Sequence, residues 1–411
     1  MDFDDTPEEA AFRAEVRAWL DAHAERLAPG ERKAAVIDTR RQPDGLERSR
    51  EWMRTRADGG WACLTWPVEY GGRAATPIQK VIWEQEEARY RTSPSMFVIG
   101  HEMLGPTLIA HGTDEQKRRW LRPMLRADEV WCQLFSEPAA GSDLAGLRTT
   151  AVRDGDAWML NGQKIWTSGA EFSKWGMILA RTDPRAPKHA GITYFVVDMD
   201  APGVEIRPIK QMNGGTSFNE VFFTDVRVPD AHRVGPVGGG WRGAITTLMN
   251  ERAALSGGMG AGFDDLLRLA QRTTLEGRPA LEDTAVRQRL ADVYVKLRGI
   301  EFTRYRTITA LSRGTTPGPE SSLGKLVSAP LRQEMASFAL ELLGPAGVVT
   351  DRNIAFDGAL WQDALLGAPG GRLAGGTDEI LRNIIAERIL GLPPEPRLDK
   401  DLPFQEVPSS R

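Results

Sequence analysis

Two stretches of this sequence, Trp131–Asp143 and Gly162–Ser168, carry residue types that suit a flat molecule with a polar edge. Ser136 stands in Trp131-Cys-Gln-Leu-Phe-Ser-Glu-Pro-Ala-Ala-Gly-Ser-Asp143. There Phe135-Ser136-Glu137-Pro138 turns the chain, and Gly141-Ser142-Asp143 leaves backbone N–H groups and two small polar side chains exposed. Glycine lets a backbone come close to a ligand. Further on, Gly162-Gln-Lys-Ile-Trp166-Thr-Ser168 supplies an indole followed by two hydroxyls. An indole for a flat ring, with hydroxyls and free N–H groups around it, suits a bound heteroaromatic cofactor. A turn between domains beside a buried tryptophan has the same spacing, and spacing alone leaves both readings open.

The elements that must position these residues are legible from pattern. The chain has 411 residues, enough for two or three units. Its 41% apolar content supports a large core, and a net charge of −4 gives no reason to expect nucleic-acid binding. Two cysteines, Cys63 and Cys132, cannot build a disulfide framework or a metal cluster, and five scattered histidines argue against a metal site. The acidic start, Met1-Asp-Phe-Asp-Asp5, does not read as a secretory leader. No apolar run approaches the roughly 20 residues that span a bilayer. A reducing, cytoplasmic setting is the expectation.

Thr6-Pro7-Glu8-Glu9 reads as a capping box opening a helix, with Phe12, Val16 and Leu20 on one face. Residues 28–47 read as a loop, 59–72 as turns and 76–92 as a helix. Thr113-Asp-Glu-Gln116 is a second capping box, for a helix ending near Arg126. From 131 to about 235 the pattern turns to β: Trp158-Met-Leu160, Ile192–Val197 and Val221–Val228, with the pair Asn161-Gly162 predicting a hairpin turn. Gly238-x-Gly240-x-x-Gly243 matches a dinucleotide fingerprint by letter, but everything downstream is helical and no βαβ unit surrounds it. It reads as a flexible lead-in to a helix. Val286, Leu290, Val293, Leu297 and Ile300, then Leu331, Met335, Phe338 and Leu342, then Ile380, Ile384 and Ile385, predict long amphipathic helices of a bundle. Residues 314–320 read as a loop, and the proline-rich end from 393 is expected on the surface. The expected division is 1–130 helical, 131–235 antiparallel β, 236–396 a four-helix bundle, and a tail over 397–411.

Ser136-Glu-Pro-x-x-Gly-Ser-Asp143, Asn161-Gly-Gln-Lys-Ile-Trp-Thr-Ser168 and Gly375-Gly-Thr-Asp-Glu379, preceded by Gly112-Thr-Asp-Glu-Gln-Lys117, resemble the motifs of the acyl-CoA dehydrogenase family in order and spacing. The resemblance runs from roughly residue 5 to 396. It implies the same α, β, α fold, usually assembled as a homodimer or homotetramer, an acyl-CoA substrate, bound FAD and electron-transfer flavoprotein as oxidant. It further implies that Trp166 packs on the flavin, that Ser136 and Ser168 hydrogen-bond its edge, and that Gln133 and Phe135 line the same face. Gly141 and Ser142 would approach the cofactor, and Ser142 would also touch the acyl-CoA. Gly344, Thr377 and Glu379 would hold the pyrophosphate and adenosine.

Two departures stand out. The family's Arg-x-x-Phe-Gly segment, which reaches the FAD of a neighbouring subunit, is not legible near Gly277, and Arg272 lies out of register. Many members also carry Tyr-Glu-Gly-Thr, whose Glu removes the α-proton; here the aligned residues are Ala374-Gly375-Gly376-Thr377 and the carboxylate is absent. Relatives such as isovaleryl-CoA and long-chain dehydrogenases place the base on another helix, before a substrate-binding Arg. Leu248-Met-Asn-Glu251-Arg252 matches that pattern, which implies Glu251 as base and Arg252 as substrate ligand. The plain alternative is a first-turn glutamate favouring a helix N-terminus. Gly375 retains the backbone N–H that would bind the thioester oxygen. The small residues of Leu255–Gly262 imply room for a branched or bulky acyl group, or tight helix packing. Within the fold, the alternatives are a flavin monooxygenase or oxidase, and a partner subunit of a heteromeric dehydrogenase.

Overall fold

The computed structural model describes residues 5–28, 31, 44–93, 96–255, 261–312, 318–319, 322–396 and 399–408. Its described residues form two compact units, one from Met1–Lys210, Thr216–Ala254 and Pro396–Arg411, the other from Gln211–Gly215 and Leu255–Glu395.

The first unit opens with helices. At α1 (Pro7–His23), Thr6 Oγ1 accepts the Glu9 N–H at 3.2 Å and the Glu9 carboxylate accepts the Thr6 N–H at 2.8 Å, as the capping box requires. The Phe12, Val16 and Leu20 stripe packs on Trp61 and Trp83, whose rings stack at 5.0 Å. α2 (Gly45–Asp58) begins inside the predicted loop. Its fully buried positions are Gly45, Ser49 and Met53, with Leu46, Trp52 and Ala57 partly buried against the cores; residues 29–30 and 32–43 of that loop lie outside the described residues. α3 (Pro77–Glu87) stops short of the predicted 92. A π-helical turn, Ile99–Leu104, leads into α4 (Gly105–His111). α5 (Asp114–Leu125) starts on the expected box and ends at Arg126.

The strands β1 (Trp131–Leu134), β2 (Thr150–Asp154), β3 (Ala157–Ser168), β4 (Trp175–Arg181), β5 (Ile192–Asp198), β6 (Val204–Ile209), β7 (Phe218–Pro229) and β8 (Arg233–Val234) make one sheet ordered β6-β7-β3-β2-β4-β5-β8, with β1 beside β4. The sheet is mostly antiparallel, as expected, but β1 and β2 run parallel to β4. Met177 and Leu179 of β4 join the core with Trp120, Met124 and Trp131, while Ile178 and Ala180 join Leu160, Phe195 and Phe223. Alternate side chains point to opposite faces of a strand, so burial on both faces makes β4 a continuous apolar run.

Asn161-Gly162 is not a turn. It lies inside β3, and the hairpin between β2 and β3 closes over Gly155-Asp156. The Asn161 side chain donates to Asp225 Oδ1 and accepts the Asp225 N–H, both at 2.9 Å, where the β3–β7 register shifts between Leu160 and Gly162. Gly162 has φ 151°, and a Cβ there would come 2.5 Å from Thr149 Oγ1. The pair serves a β-bulge, which has the same need for special backbone angles as a turn.

α6 (Gly240–Leu255) follows the sheet, and its glycines admit close packing rather than flexibility. A Cβ at Gly240 would lie 2.7 Å from the Thr193 carbonyl carbon, and one at Gly243 would lie 2.7 Å from the Tyr194 ring. The stretch 399–408 is fastened to this unit: the Phe404 N–H donates to Ala186 O at 3.0 Å, and its ring lies 3.4 Å from the guanidinium of Arg181.

The second unit holds α7 (Phe263–Arg272), a hairpin of β9 (Thr274–Leu275) and β10 (Arg278–Pro279), α8 (Thr284–Ser312), α9 (Ser322–Leu343), α10 (Leu360–Leu373) and α11 (Asp378–Arg388). The predicted stripes supply Val286, Leu290 and Val293 of α8 and Leu331, Met335, Phe338 and Leu342 of α9 to one core with Leu266, Leu269 and Trp361. Residues 256–260 of the small-residue stretch, and 314–317 and 320 of the second predicted loop, lie outside the described residues. Among the described residues no helix is long and apolar enough to cross a membrane.

Candidate active site

β1 runs out into the Ser136 loop, and two buried charges hold that loop to β3. The Glu137 carboxylate accepts the Arg148 N–H at 2.6 Å, the Thr149 N–H at 3.0 Å and the Lys164 ammonium at 2.7 Å. Lys164 is fully buried and also donates to Phe135 O at 3.1 Å. Burial opposes both charges. In Glu137 the nearby ammonium and the N–H donors win, and the carboxyl stays below its ordinary pKa. Burial pushes the Lys164 ammonium below its ordinary range. Sequence reasoning missed both anchors, although each stands inside a motif. Phe135 is buried edge-on to the Tyr194 ring, with centroids 5.7 Å apart.

The Ile165 N–H donates to Ser136 O at 2.9 Å, which brings Ser136 beside the next residue, Trp166. The β3–β7 register shifts between Lys164 and Thr167, and Trp166 sits in that bulge at φ 61°. A non-glycine residue in this left-handed region costs about 1–3 kcal/mol, and such strain gathers at functional positions. The indole is not a core aromatic: it is 56% exposed, with one edge on Phe218. Ser168 is half-buried at the end of β3, while Gly141 and Ser142 are exposed, with nothing within 4 Å of a Cβ built at Gly141. The first unit therefore brings together Ser136, Trp166 and Ser168.

Gln133 of β1 and Glu251 of α6 also meet. Gln133 Nε2 donates to Glu251 Oε2 at 3.4 Å, and both side chains are half-buried. Glu251 stands in the later turns of α6, so the role of a first-turn glutamate at a helix N-terminus does not apply. Arg252 follows it on the helix, and its side chain lies outside the described residues.

The remaining sequence-predicted residues belong to the second unit. Gly375 and Gly376 have φ 66° and 96°, and Thr377 caps α11 by accepting the Ile380 N–H at 3.2 Å. Lys325 donates to the carbonyls of Arg372 and Gly376, and Arg372 pairs with the buried Asp378 at 2.7 Å, so the glycine turn is tied to α9 and α11. Glu379 is exposed in the first turn of α11. Gly344, at φ 54°, opens a short 3₁₀ turn, Gly344–Val348. Arg272 lies over the Phe356 ring at 4.5 Å and pairs with Asp357 at 3.3 Å. Among the described residues no group of His, Cys, Asp and Glu is arranged to hold a metal.

Three family models match the chain: "Acyl-CoA dehydrogenase, N-terminal domain" over residues 6–128, "middle domain" over 132–226 and "C-terminal domain" over 238–390. The chain is 40% identical over 390 residues to the acyl-CoA dehydrogenase IpdE1 of Mycobacterium tuberculosis, covering 93% of this chain and 98% of that protein. Among solved structures it is similar to one described as "Tcur3481-Tcur3483 steroid ACAD", with TM-score 0.78 and 31% identity over 96% of this chain and 100% of that one. It is also similar to the ChsE4-ChsE5 complex of Mycobacterium tuberculosis, with TM-score 0.78 and 29% identity over 96% of this chain and 100% of that one.

Proposed function

We propose that this chain, which belongs to the acyl-CoA dehydrogenase family, oxidises an acyl-CoA thioester to the 2-enoyl-CoA with FAD bound and Glu251 as the α-proton base. Membership makes it a flavin-using oxidoreductase that acts on acyl-CoA. The observation that carries the finer reading is the Gln133–Glu251 hydrogen bond at 3.4 Å. It joins the one carboxylate that matches a family base position to the strand leading into the Ser136 loop.

The residues present fit a flavin. Trp166 offers an exposed indole, and Ser136, bonded through its backbone to Ile165, and Ser168, two residues on along β3, would offer hydroxyls to a polar ring edge. Gln133, Phe135, Gly141 and Ser142 would complete that side. In the second unit Gly344, Thr377 and Glu379 would hold the pyrophosphate and adenosine. When bound, FAD supplies the acceptor for the hydride lost from the β-carbon.

The chain's own residues deal with the proton. An α-carbon beside a thioester is a weak acid, and a positioned carboxylate is worth about 10²–10⁴-fold in removing its proton. Glu251 accepts that proton while Gln133 steadies one carboxylate oxygen. The Gly375 N–H would donate to the thioester oxygen, where charge builds as the proton leaves. Lys325, by holding the next carbonyl, would keep the Gly375-Gly376 turn fixed. Ser142 and Arg252 would bind the acyl-CoA. Electrons would pass on to electron-transfer flavoprotein.

A bulky, polycyclic acyl group is the substrate class we favour, supported by the steroid enzyme among the similar structures and by the small residues after Glu251. A second reading, one subunit of a heteromeric enzyme rather than a homodimer or homotetramer, has a specific observation behind it. Arg272 is engaged by Phe356 and Asp357 of its own unit, and the segment after it is a tight hairpin in place of Arg-x-x-Phe-Gly. Both solved relatives named above are described as two-protein pairs. The buried free thiols Cys63 and Cys132 suit a cytoplasmic setting. The three-part division at residues 130 and 235 is retained, supported by the matched ranges.

The test is anaerobic mixing of the purified protein with a panel of CoA thioesters. Bleaching of the flavin's visible absorption without oxygen is expected, fastest with a steroid-type thioester. Substrate-independent flavin, or turnover only with oxygen, would favour the monooxygenase or oxidase alternative.

A further inference from the structure

α6 carries Glu251, and three buried hydroxyls tie it to the rest of the first unit alongside its apolar packing. Thr107 of α4, Tyr194 of β5 and Thr247 of α6 are each 0% exposed, so no solvent can satisfy them. Thr107 Oγ1 donates to Met103 O at 2.9 Å. Its single proton is then committed, and it accepts from Thr247 at 2.8 Å. That commits the Thr247 proton in turn, leaving Thr247 to accept from the Tyr194 hydroxyl at 3.0 Å. The Gly243 carbonyl, 3.1 Å away, is the alternative acceptor for Thr247, one that bonds α6 only to itself. With Thr107 donating to Met103 and Thr247 to Thr107, the hydroxyls link β5 through α6 to α4. Gly240 and Gly243 make it possible by letting α6 lie against β5. A second polar rung, His111 Nε2 to Thr246 Oγ1 at 2.8 Å, joins α4 and α6 alongside it.

Glu251 lies four residues beyond Thr247, on the same face one turn along. A helix held at that face by two other elements, α4 and β5, is restrained in rotation and height, and with it the backbone that carries Glu251. We propose that Thr247 is a positioning residue for Glu251, setting the carboxylate through this hydroxyl chain; the inference rests on the reading of Glu251 as the base. An apolar side chain of the same shape would leave α6 packed but free to rotate slightly. The Tyr194 hydroxyl would be buried without its partner and would press the helix toward a new position. Catalytic geometry is sensitive to such shifts, and a misplacement of about 1 Å can cost about 10²-fold.

Thr247→Val, Thr247→Ser and Glu251→Gln are compared anaerobically as FAD-loaded enzymes, using the fastest thioester of the panel and its α-deuterated form. Thr247→Val is expected to keep its substrate dissociation constant while its limiting flavin-reduction rate falls about 10- to 100-fold. Its isotope effect at the α-position should rise, and Thr247→Ser should restore the wild-type rate. A wild-type rate in Thr247→Val with a slow Glu251→Gln overturns the positioning role and leaves the base reading standing. A wild-type rate in Glu251→Gln overturns the base reading itself. A slow Thr247→Val with weakened substrate binding, no rise in isotope effect and no rescue by serine also overturns the inference. If Thr247→Val fails to fold, Tyr194→Phe removes only the first donor. It should show a smaller fall with the same rise in isotope effect, and an unchanged isotope effect overturns the proposal.

Discussion

Lys164 Nζ lies 2.7 Å from Glu137 Oε1, with the lysine wholly out of solvent. This pair bridges the two motifs that were legible in the sequence as separate stretches. The lysine also reaches the Phe135 carbonyl, so it holds the residues on both sides of Ser136, one by its backbone and one by its side chain.

Removing one partner strands the other charge. Lys164→Met should destabilise the fold by about 3–5 kcal/mol, the cost of leaving a buried charge unpaired. It should also lower FAD retention, because the Ser136 loop loses its anchor. Urea unfolding of the FAD-free and FAD-loaded protein checks both. A loss well under 1 kcal/mol would mean that the loop is held by other contacts.

Trp166 separates stability from binding. Its left-handed backbone, φ 61°, is one that glycine adopts without strain. Trp166→Gly should stabilise the FAD-free protein by about 1 kcal/mol relative to Trp166→Ala. Both variants should bind FAD more weakly than wild type. Equal FAD affinity in all three, by titration of flavin fluorescence, would remove the indole from the cofactor site.

The fold was legible where pattern reports packing. Capping boxes at Thr6 and Thr113 and the stripes of α8 and α9 are local features, and they stand where they were expected. α2 was hidden because its fully buried positions, Gly45, Ser49 and Met53, include one large apolar side chain, and Leu46 and Trp52 beside them are only partly buried. Asn161-Gly162 misled because a bulge and a turn ask for the same residues. The glycines before Glu251 read as flexibility in the sequence, whereas what they face, Thr193 and Tyr194 of β5, lies far off in sequence and only the fold brings it near. In the site, the residues proposed to face the cofactor are legible as motifs, but Lys164 and the three-hydroxyl chain needed the fold.

His101 gives a pH dependence of known sign. It is buried in the π-turn with Nε2 2.7 Å from Met124 O, and burial lowers its pKa from the ordinary 6.5 to about 4. Between those values the unfolded chain holds a proton that the folded chain does not. Its contribution is fully present above pH 6.5 and is lost as pH falls toward 4, about 3 kcal/mol in all. His101→Gln keeps an N–H donor but does not titrate. Its stability should fall less than wild type between pH 7 and pH 5 in thermal melts; parallel curves would contradict the assignment.

Two glycine-to-alanine changes should have opposite signs. At Gly240 the added Cβ meets the Thr193 and Tyr194 backbone at 2.7–2.8 Å, and α6 has to lift. A loss of about 1–3 kcal/mol is expected, together with slower flavin reduction. At Gly299, inside α8, nothing lies within 4 Å. There alanine should stabilise by about 0.5–1 kcal/mol. A neutral Gly240→Ala would show that α6 does not need its close seat on β5.

The most direct test of the central claim is flavin reduction in Glu251→Gln, with oxygen excluded and a confirmed thioester substrate. Glutamine keeps the size of the side chain and its hydrogen bonds but cannot take the α-proton. The variant should still bind FAD and substrate while reduction slows by at least about 10²-fold. In the same background, Gly375→Glu puts a carboxylate at the position that matches the base of many family members and should recover part of the rate. Reduction of the Glu251→Gln flavin at the wild-type rate would contradict the account.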